Sequence, residues 1–399
     1  MYNMNIAVIG AGNGGQAMAA YLALKGCKVN LYNRSYKKLE PIIKNDGIYL
    51  NGAIDGFGRL NIVTTDIAEA IDGMEIIMIV TPAVAHREIA RKLSLYLEDG
   101  QKIILNPGRT GGALEFYNIL KTNNCSADVI ISEAQTFVFA SRVVGPARAK
   151  IFGVKNHVTI AAFPSDRTRE LIDNIIDFLP QFSPVENVLK TSFDNIGAIF
   201  HPAPLLLNMA WVETTEGCFE NYKEGISPSV CKVIKKMDLE RMRVARGFNI
   251  DPLSAEDWLR LSYNASGKNL NEMLINNSQY QGISAPCTLD HRYVLEDVPM
   301  SLVPISSFAK MCNVDTPTID LIIELAETVY DRNFRLEGRT IESLGISNLT
   351  PNEILNLVNY GSIDEVRVHP ALNRRLVKRI NKIDNIVFGK FNSYQKEVE

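Results

Sequence analysis

The stretch Met4-Asn5-Ile6-Ala7-Val8-Ile9-Gly10-Ala11-Gly12-Asn13-Gly14-Gly15 decides the fold. It begins as an apolar strand, and its glycines have the spacing of the G-x-G-x-x-G turn that binds dinucleotides. In that turn the first glycine permits a tight bend, the second lets the backbone approach a pyrophosphate, and the third lets the next helix pack on the strand. A glycine-rich turn without a ligand is the alternative. The cofactor-binding residues predicted here are Gly10, Gly12, Asn13, Gly14 and Gly15.

Strands and helices alternate from this turn to about residue 185, which predicts a mostly parallel, doubly wound sheet covered on both faces. Strands are expected at Lys28–Tyr32, Ile62–Thr64, Glu75–Val80, Lys102–Leu105, Val129–Ser132 and His157–Ile160. Helices are expected at Gln16–Leu24, Tyr36–Lys44, Val84–Leu95, Gly112–Leu120 and Thr168–Phe178.

The rest of the chain has helical periodicity and almost no strand alternation. Helices are expected at Ala203–Glu213, Ser229–Arg246, Asp315–Arg332 and Pro351–Asn359. The start of the last helix is marked by a capping box of Thr350 and Glu353, with Pro351 at the first helical position. We therefore expect an N-terminal Rossmann domain at residues 1–187 and a mainly α-helical domain at residues 188–399.

The end of the second strand bears on the choice of cofactor. An acidic residue that would hold the ribose 2′-hydroxyl of NAD is missing there, and Asn33, Arg34 and Ser35 take its place. A guanidinium can pair with a 2′-phosphate, so NADP(H) is favoured over NAD(H). The alternative is that Arg34 stacks on the adenine or points to solvent, and NAD(H) stays open.

Two further strand ends are expected to border the cofactor, because ligands of such sheets collect at the carboxyl ends of the strands. One loop begins with Thr81 and Pro82, and the other runs from Asn106 through Gly108 to Gly112. Thr81, Pro82, Asn106 and Gly108 are therefore predicted cofactor contacts. Glu133, Gln135 and Thr136 end another strand, where structural hydrogen bonding is an equal alternative.

The candidate chemistry lies in the second half. His201 stands before Pro202 and Pro204, where one helix is interrupted and another begins, and an imidazole can pass a proton both ways near neutral pH. A second segment, Asp290 to Pro299, concentrates charge: Arg292 can clamp a carboxylate and Asp297 can orient a histidine. A structural histidine and a solvated loop are the alternatives. His291 and Glu296 are expected to be structural.

Composition narrows the class of protein. With 42 Lys and Arg against 45 Asp and Glu, the net charge of −3 disfavours nucleic acid and anionic membranes as partners. The six cysteines include no C-x-x-C pair, which indicates reduced thiols and no metal site. No segment has the long apolar run that a secretion signal or a membrane span would require. We expect a cytoplasmic protein with small-molecule substrates. The basic stretch from Arg367 to Lys396 is expected to be a solvated helix face, and an exposed helix face after Asn313 is a candidate homodimer contact.

The chain resembles the octopine/nopaline (opine) dehydrogenase family. The resemblance lies in the G-x-G-N-G-G turn, in His201-Pro202-Ala203, and in Arg292-Tyr293-x-x-Glu296-Asp297-Val298-Pro299. The segments Gly282 to Pro286 and Gly338 to Gly345 also look like those of bacterial members. The second and third of these elements, in this order behind a Rossmann half, are more specific than the glycine turn.

The resemblance implies a reductive condensation. In it a 2-oxo acid, typically pyruvate, and the amino group of an L-amino acid form an imine that NAD(P)H reduces. It implies His201 as the catalytic acid and base, Asp297 as its partner or an amine contact, and Arg292 as a binder of a substrate carboxylate. The alternatives are a simple dehydrogenase of the 2-hydroxy acid, glycerol-3-phosphate or 6-phosphogluconate type, and a non-catalytic NAD(P)H-sensing protein. The simple dehydrogenases rely on a catalytic lysine in the helical domain, and no lysine of this chain has matching sequence neighbours.

Overall fold

The structure, a computed structural model, describes residues 4–363. The predicted basic stretch Arg367–Lys396 and His369 lie outside the described residues. The strands are β1 (Asn5–Ile9), β2 (Lys28–Tyr32), β3 (Gly47–Gly52), β4 (Gly56–Arg59), β5 (Ile62–Thr64), β6 (Ile76–Ile79), β7 (Lys102–Leu105), β8 (Ile130–Ala134), β9 (Phe139–Gly145), β10 (Arg148–Val154), β11 (Val158–Phe163) and β12 (Phe182–Pro184).

The helices of the first half are α1 (Asn13–Leu24), α2 (Tyr36–Asn45), α3 (Ile67–Ile71), α4 (His86–Leu93), α5 (Gly112–Thr122) and α6 (Thr168–Ile175). Those of the second half are α7 (Val188–Phe193), α8 (Gly197–Phe200), α9 (Pro202–Leu207), α10 (Met209–Thr215), α11 (Pro228–Gly247), α12 (Ala255–Tyr263), α13 (Leu270–Asn276), α14 (Arg292–Leu295), α15 (Val303–Met311), α16 (Pro317–Tyr330), α17 (Phe334–Glu337) and α18 (Pro351–Tyr360). A π-helical turn, Val298–Leu302, joins the segment after α14 to α15.

The large sheet has the order β12-β11-β8-β7-β6-β1-β2-β5. All its neighbouring strands are parallel except β11, which runs antiparallel to β8. The order reverses at β1, so the carboxyl ends of β1, β2, β6 and β7 meet beside the glycine turn, which is where ligands bind in such sheets. The predicted fold class, a Rossmann sheet followed by a mainly helical part, is confirmed.

A second sheet of four strands, β4-β3-β10-β9, packs on α1 and was not predicted. Its strands are short, rich in glycine and largely exposed, so they lack the continuous apolar runs that mark buried parallel strands. Gly58 lies so close to the backbone of Ala20 in α1 that a Cβ would be 2.5 Å from it. The close approach explains why glycine stands at this position.

Most predicted helices differ from the structure by one to three residues at an end, and two differ in a way that changes the element. Val84–Leu95 becomes a 3-10 turn, Ala83–Ala85, followed by α4, and Thr168–Phe178 ends at Ile175. The predicted helix Ala203–Glu213 is broken at Asn208 into α9 and α10. The side chain of Asn208 donates hydrogen bonds to the carbonyls of Pro204, at 2.8 Å, and Gly225, at 2.7 Å. These bonds hold a non-helical backbone at Asn208, because asparagine side chains compete with helical hydrogen bonding.

The capping box at the start of α18 is confirmed, since the Thr350 hydroxyl accepts from the Glu353 N–H and the Glu353 carboxylate accepts from the Thr350 N–H. None of the helices within residues 4–363 is long and apolar enough to cross a membrane.

The two halves share one hydrophobic core. Ile6 and Val8 of β1 face α1 and the small sheet, whereas Ala7 and Ile9 face a cluster that continues into α7–α11 and α14–α16. Buried polar contacts reinforce this junction. Glu133 accepts hydrogen bonds from Thr191 and Ser192, each at 2.6 Å, so the helical half is tied to the carboxyl end of β8.

Arg339 is a second tie across the junction. It is wholly buried, pairs with Glu115 of α5 at 2.8 Å, and donates to the carbonyls of Gly108, at 2.8 Å, and Thr110, at 3.2 Å. Arg339 also contacts Nδ1 of His86. Burial and the Arg339 cation lower the pKa of His86 to about 3. The loop after β7 is therefore fixed by a residue from the far end of the helical half.

Candidate active site

The glycine turn has the geometry that a pyrophosphate requires. Gly10 has a φ of 114°, and a Cβ at Gly15 would overlap the Gly10 carbonyl, so neither position accepts a side chain without distortion. A Cβ at Gly12, by contrast, would meet no atom within 4 Å. The free N–H groups at the start of α1 are thus open to a ligand on the side where Gly12 lies.

Asn13 and Gly14 are engaged with other parts of the protein. The Asn13 side-chain oxygen accepts from the Val143 N–H at 2.9 Å, and its carbonyl accepts from the Ser141 hydroxyl at 3.1 Å. A Cβ at Gly14 would lie 3.1 Å from the ring of Phe137. These contacts anchor β9 beside the turn, and a cofactor role for the two residues stays a prediction.

The end of β2 lies next to the turn, as the sequence predicts. The Asn33 side-chain oxygen accepts from the Ala11 N–H at 3.2 Å, and its amide donates to the Ser35 carbonyl at 3.1 Å. Arg34 has a side chain 79% exposed and only a distant ion pair with Glu88, at 3.9 Å. Its guanidinium is therefore free to turn toward a ligand at this edge.

The ends of β6 and β7 supply polar atoms without partners. Thr81 Oγ1 and Asn106 Oδ1 are buried and make no hydrogen bond within the described residues, although the Asn106 amide donates to the Ile104 carbonyl at 3.0 Å. Buried polar groups normally find partners, so these two atoms fit a site for the polar groups of a dinucleotide. Pro82 follows Thr81 and precedes the 3-10 turn. Gly108 is enclosed: its N–H donates to Ala134, and a Cβ would lie 2.6 Å from Glu133.

His201 lies at the junction between α8 and α9, and its Nδ1 is 2.8 Å from Oδ2 of Asp297. Its ring stacks on that of Tyr293, with centroids 4.2 Å apart and an interplanar angle of 9°. The side chain is 18% exposed, and Nε2 makes no hydrogen bond within residues 4–363. The geometry thus fixes one ring nitrogen and leaves the other available.

The electrostatics of His201 favour the neutral ring. Burial lowers its pKa below the usual value and outweighs the nearby Asp297 carboxylate, and the cations Arg109 and Arg292 lower it further. The neutral imidazole therefore predominates near neutral pH in the free protein, ready to accept a proton.

Arg292 and Asp297 both belong to the segment around α14, but they do not contact each other. Arg292 Nε lies 3.1 Å from Oε2 of Glu296, and its side chain is 53% exposed. Glu296 is buried and also accepts from the Ala83 N–H at 3.1 Å. The structure thus brings together His201 and Asp297, whereas Arg292 is linked to Asp297 through ion pairs with Glu296 and Arg109. His291, at the start of α14, lies edge-on to Tyr293.

Arg109 is the member of this cluster that sequence reasoning missed. It lies in the loop after β7, is fully buried, and pairs through Nη1 with Oδ1 of Asp297 at 2.8 Å and through Nε with Oε1 of Glu296 at 3.1 Å. Although burial opposes ionisation, Arg109 and Arg292 hold the pKa of Glu296 below its usual range. The residues around Arg109 favour a turn, and this pattern alone predicts no catalytic role for the arginine among them. The carboxylates at Glu296 and Asp297 were the available signal, because two adjacent buried acids require a cation.

No group of three or more His, Cys, Asp or Glu side chains suited to a metal occurs within residues 4–363. The site thus consists of an open glycine turn with unpaired polar atoms at its edge, and a histidine–aspartate pair in the helical half. These features define a two-domain NAD(P)-dependent dehydrogenase.

Comparisons with known proteins identify the family. A model described as the alpha-helical domain of NAD/NADP octopine/nopaline dehydrogenase matches residues 184–330. One described as the N-terminus of NAD-dependent glycerol-3-phosphate dehydrogenase matches residues 5–122. An opine dehydrogenase of Arthrobacter sp. (strain 1C) is 39% identical over 88% of this chain and 98% of its own length. The chain belongs to the octopine/nopaline (opine) dehydrogenase family.

More distant proteins of related name are also similar to this chain. Vitopine synthase of Allorhizobium ampelinum is 23% identical over 74% of this chain and 81% of its own length. A solved octopine dehydrogenase shares the fold with a TM-score of 0.73, at 18% identity over 92% of this chain and all of that one. A yersinopine dehydrogenase has a TM-score of 0.72, at 13% identity over 86% of this chain and 97% of its own. The chain is thus an NAD(P)-dependent oxidoreductase acting on CH–NH groups, by reductive condensation of a 2-oxo acid with the amino group of an amino acid.

Proposed function

We propose that His201 and Asp297 carry the proton transfers of this condensation. The 2.8 Å contact between His201 Nδ1 and the Asp297 carboxylate is the observation that supports the proposal, because it fixes the ring and directs Nε2 away from the carboxylate. In the reductive direction Nε2 of the neutral ring takes a proton from the ammonium group of the amino acid, and the ring returns this proton to the carbinolamine hydroxyl that leaves as water. In the reverse oxidation Nε2 takes a proton from the secondary ammonium group of the N-(carboxyalkyl) amino acid. Positioned proton transfer of this kind accelerates reactions by about 10²- to 10⁴-fold.

NAD(P)H, when bound at the glycine turn, supplies the hydride that reduces the imine carbon. The chain's own residues prepare the substrate for that step. The His201 side chain is only 18% exposed, so its surroundings limit the access of water, which would otherwise return the imine to the oxo acid and the amine.

We propose that Arg292 binds a substrate carboxylate. One edge of its guanidinium is held by Glu296, and the exposed remainder can donate to a carboxylate near His201. The pairing with Glu296 orients this arginine before substrate arrives. We propose a 2-oxo acid such as pyruvate and an L-amino acid as the substrates, as in the solved octopine dehydrogenase complexes with pyruvate and with L-arginine.

We propose NADP(H) as the preferred cofactor, bound at the residues Gly10, Gly12, Asn13, Gly14, Gly15, Asn33, Arg34, Ser35, Thr81, Pro82, Asn106 and Gly108. Arg34 is exposed, and the end of β2 itself, Tyr32-Asn33-Arg34-Ser35, contains no acidic residue to bind a ribose 2′-hydroxyl, which supports this preference. NAD(H) is the alternative, since solved relatives of the same fold hold either NADH or NADP+.

Three coarser features are also proposed. The domain boundary is placed between residues 187 and 188, after the last strand of the large sheet and at the start of α7. A homodimer is proposed through the face of α16 that exposes Leu321, and size-exclusion chromatography with light scattering tests it. A cytoplasmic location is proposed from six cysteines that form no disulfide.

The test is a screen of NADPH consumption with pyruvate against each amino acid, repeated with NADH. We expect NADPH oxidation only when the 2-oxo acid and one class of amino acid are both present, together with an N-(1-carboxyethyl) amino acid in the mass spectrum. Oxidation of NADPH by the oxo acid alone would instead identify a simple dehydrogenase. Cofactor binding without turnover in any combination would indicate a sensing protein.

A further inference from the structure

We propose that Arg109 is a positioning residue for the reaction: from the cofactor-binding half it pairs with Asp297 and thereby holds the Asp297 carboxylate in place on His201. The inference rests on the proposed roles of His201 and Asp297, and it adds a residue from a third, distant part of the chain.

The backbone at Arg109 is the first observation. Its φ is 61°, in the left-handed region that glycine adopts freely and that other residues adopt at a cost. Glycines stand nearby at Gly108, Gly111 and Gly112, yet the left-handed position between them carries the largest side chain of the loop. Strain at such a residue persists only where the surroundings hold it, which points to a function for the side chain.

The enclosure of the guanidinium is the second observation. Arg109 is 4% exposed, and its partners all belong to the helical half: Asp297, Glu296 and Asn195, whose side-chain oxygen lies 3.3 Å from Nη1. Gly197 leaves the space that it fills, because a Cβ there would overlap Nη1 of Arg109. The helical half thus encloses the Arg109 side chain of the cofactor-binding half.

The two carboxylate oxygens of Asp297 have separate partners. Oδ1 lies 2.8 Å from Arg109, and Oδ2 lies 2.8 Å from Nδ1 of His201. Asp297 has no exposed surface, so bulk water does not compete with either partner. Without Arg109, the carboxylate would be free to rotate away from the imidazole, and the ring would lose its fixed orientation.

Charge balance gives the arrangement a measurable consequence. The charged and titratable groups around His201 are Asp297, Arg109, Arg292, His291 and the stacked Tyr293, with Glu296 between the two arginines. The Arg109 cation by itself lowers the pKa of His201, whereas the Asp297 carboxylate that it holds raises that pKa by more. Release of the carboxylate in the absence of Arg109 therefore lowers the pKa of His201. Loss of the Arg109 charge alone, with the carboxylate still in place, would raise the pKa instead and would contradict the positioning role.

The experiment compares Arg109→Met and Arg109→Lys with wild type and with Arg87→Met as the control. Arg87 also pairs with a buried carboxylate, that of Glu115 within the cofactor-binding half, but does not contact Asp297. The readouts are kcat, KM and the pH profile of kcat/KM for oxidation of the N-(1-carboxyethyl) amino acid that the enzyme itself makes, together with NADPH affinity and melting temperature.

For Arg109→Met we expect kcat to fall about 10- to 100-fold, because a misplaced catalytic side chain costs this much. We expect the acid limb of the profile to move to lower pH, because the released Asp297 carboxylate no longer raises the pKa of His201. Arg109→Lys, which keeps a cation beside Asp297, should fold like wild type, recover part of kcat and leave the acid limb near its wild-type pH. NADPH affinity should change less than about threefold, and Arg87→Met should match wild type in kcat and profile.

Two outcomes separate the proposals. If His201→Ala is inactive while both Arg109 variants keep the wild-type kcat and pH limb, Arg109 has no positioning role and the proposed function stands. If His201→Ala turns over like wild type, the proposed function itself is wrong. Should Arg109→Met fail to fold, Arg109→Lys decides: a folded Lys variant with unchanged kcat and profile overturns the positioning role.

Discussion

The cofactor turn and the catalytic cluster are built in opposite ways. The turn is one continuous segment, Gly10 to Gly15, whose geometry is dictated by backbone sterics within those residues. The cluster is assembled from the loop after β7, the α8–α9 junction and the segment after α14, and buried ion pairs hold it together. A local site of the first kind can be read from spacing, whereas a site of the second kind depends on pairings between distant residues.

The sharpest test of the cluster is His201→Ala. Removal of the imidazole that pairs with Asp297 should lower kcat about 10²- to 10⁴-fold, the usual range for a lost general acid or base. NADPH affinity, measured by fluorescence titration, should stay within about threefold, because the turn does not depend on the cluster. A large loss of NADPH affinity would contradict the separation of the two regions.

The matched test of the turn compares Gly15→Ala with Gly12→Ala. A Cβ at Gly15 would overlap the Gly10 carbonyl, so this variant should lose about 100-fold in NADPH affinity and melt at a lower temperature. A Cβ at Gly12 meets nothing within 4 Å, so Gly12→Ala should keep the wild-type melting temperature and lose affinity through contact with the pyrophosphate. Equal melting temperatures for the two variants would show that the turn is not close-packed.

The pH dependence connects the cluster to proton transfer. Burial holds the pKa of His201 below its usual range, and oxidation of the N-(carboxyalkyl) amino acid needs the neutral ring. The value of kcat/KM for oxidation should therefore be flat at pH 7 to 8 and fall about tenfold per unit below the pKa. The residual activity of His201→Ala should lack this limb; the same limb in that variant would assign it to another group.

The smallest expected effect concerns Arg34. Its replacement by alanine should lower the preference for NADPH over NADH about tenfold, since a charge-assisted contact with a phosphate contributes about 1.5 kcal/mol. Arg59→Ala is the matched control, because Arg59 is also 79% exposed and lies on the other sheet. An unchanged ratio of kcat/KM values for the two cofactors in Arg34→Ala would remove Arg34 from cofactor selection.

The contrast between the regions also explains what could be predicted from the sequence. The apolar strands β1, β6 and β7 and the helix α1 follow from local patterns, and the pairing of His201 with Asp297 was expected from the family resemblance. The sheet β4-β3-β10-β9 was missed because β10 pairs with β3 across about 100 residues, and no local pattern encodes that pairing. Arg109 was missed for the same reason, since its partners lie 187 and 188 residues away.

The break in the predicted helix at Asn208 was missed for a different reason. Periodicity predicted a continuous helix over Ala203–Glu213, but the Asn208 amide bonds two carbonyls, one of them from Gly225. The competing hydrogen bond depends on a residue outside the helix, so propensity alone could not reveal it.

The ion pairs across the junction constrain how such enzymes can be recombined. A chimera that takes residues 1–187 from this chain and the rest from a relative lacking carboxylates opposite Arg109 would bury a lone cation. Breaking a buried pair in this way costs about 3–5 kcal/mol, a large share of the stability of an average domain. To change the amine specificity of this protein, the arginine and its acidic partners must therefore be transferred together, or the substitutions must be limited to residues that line the pocket.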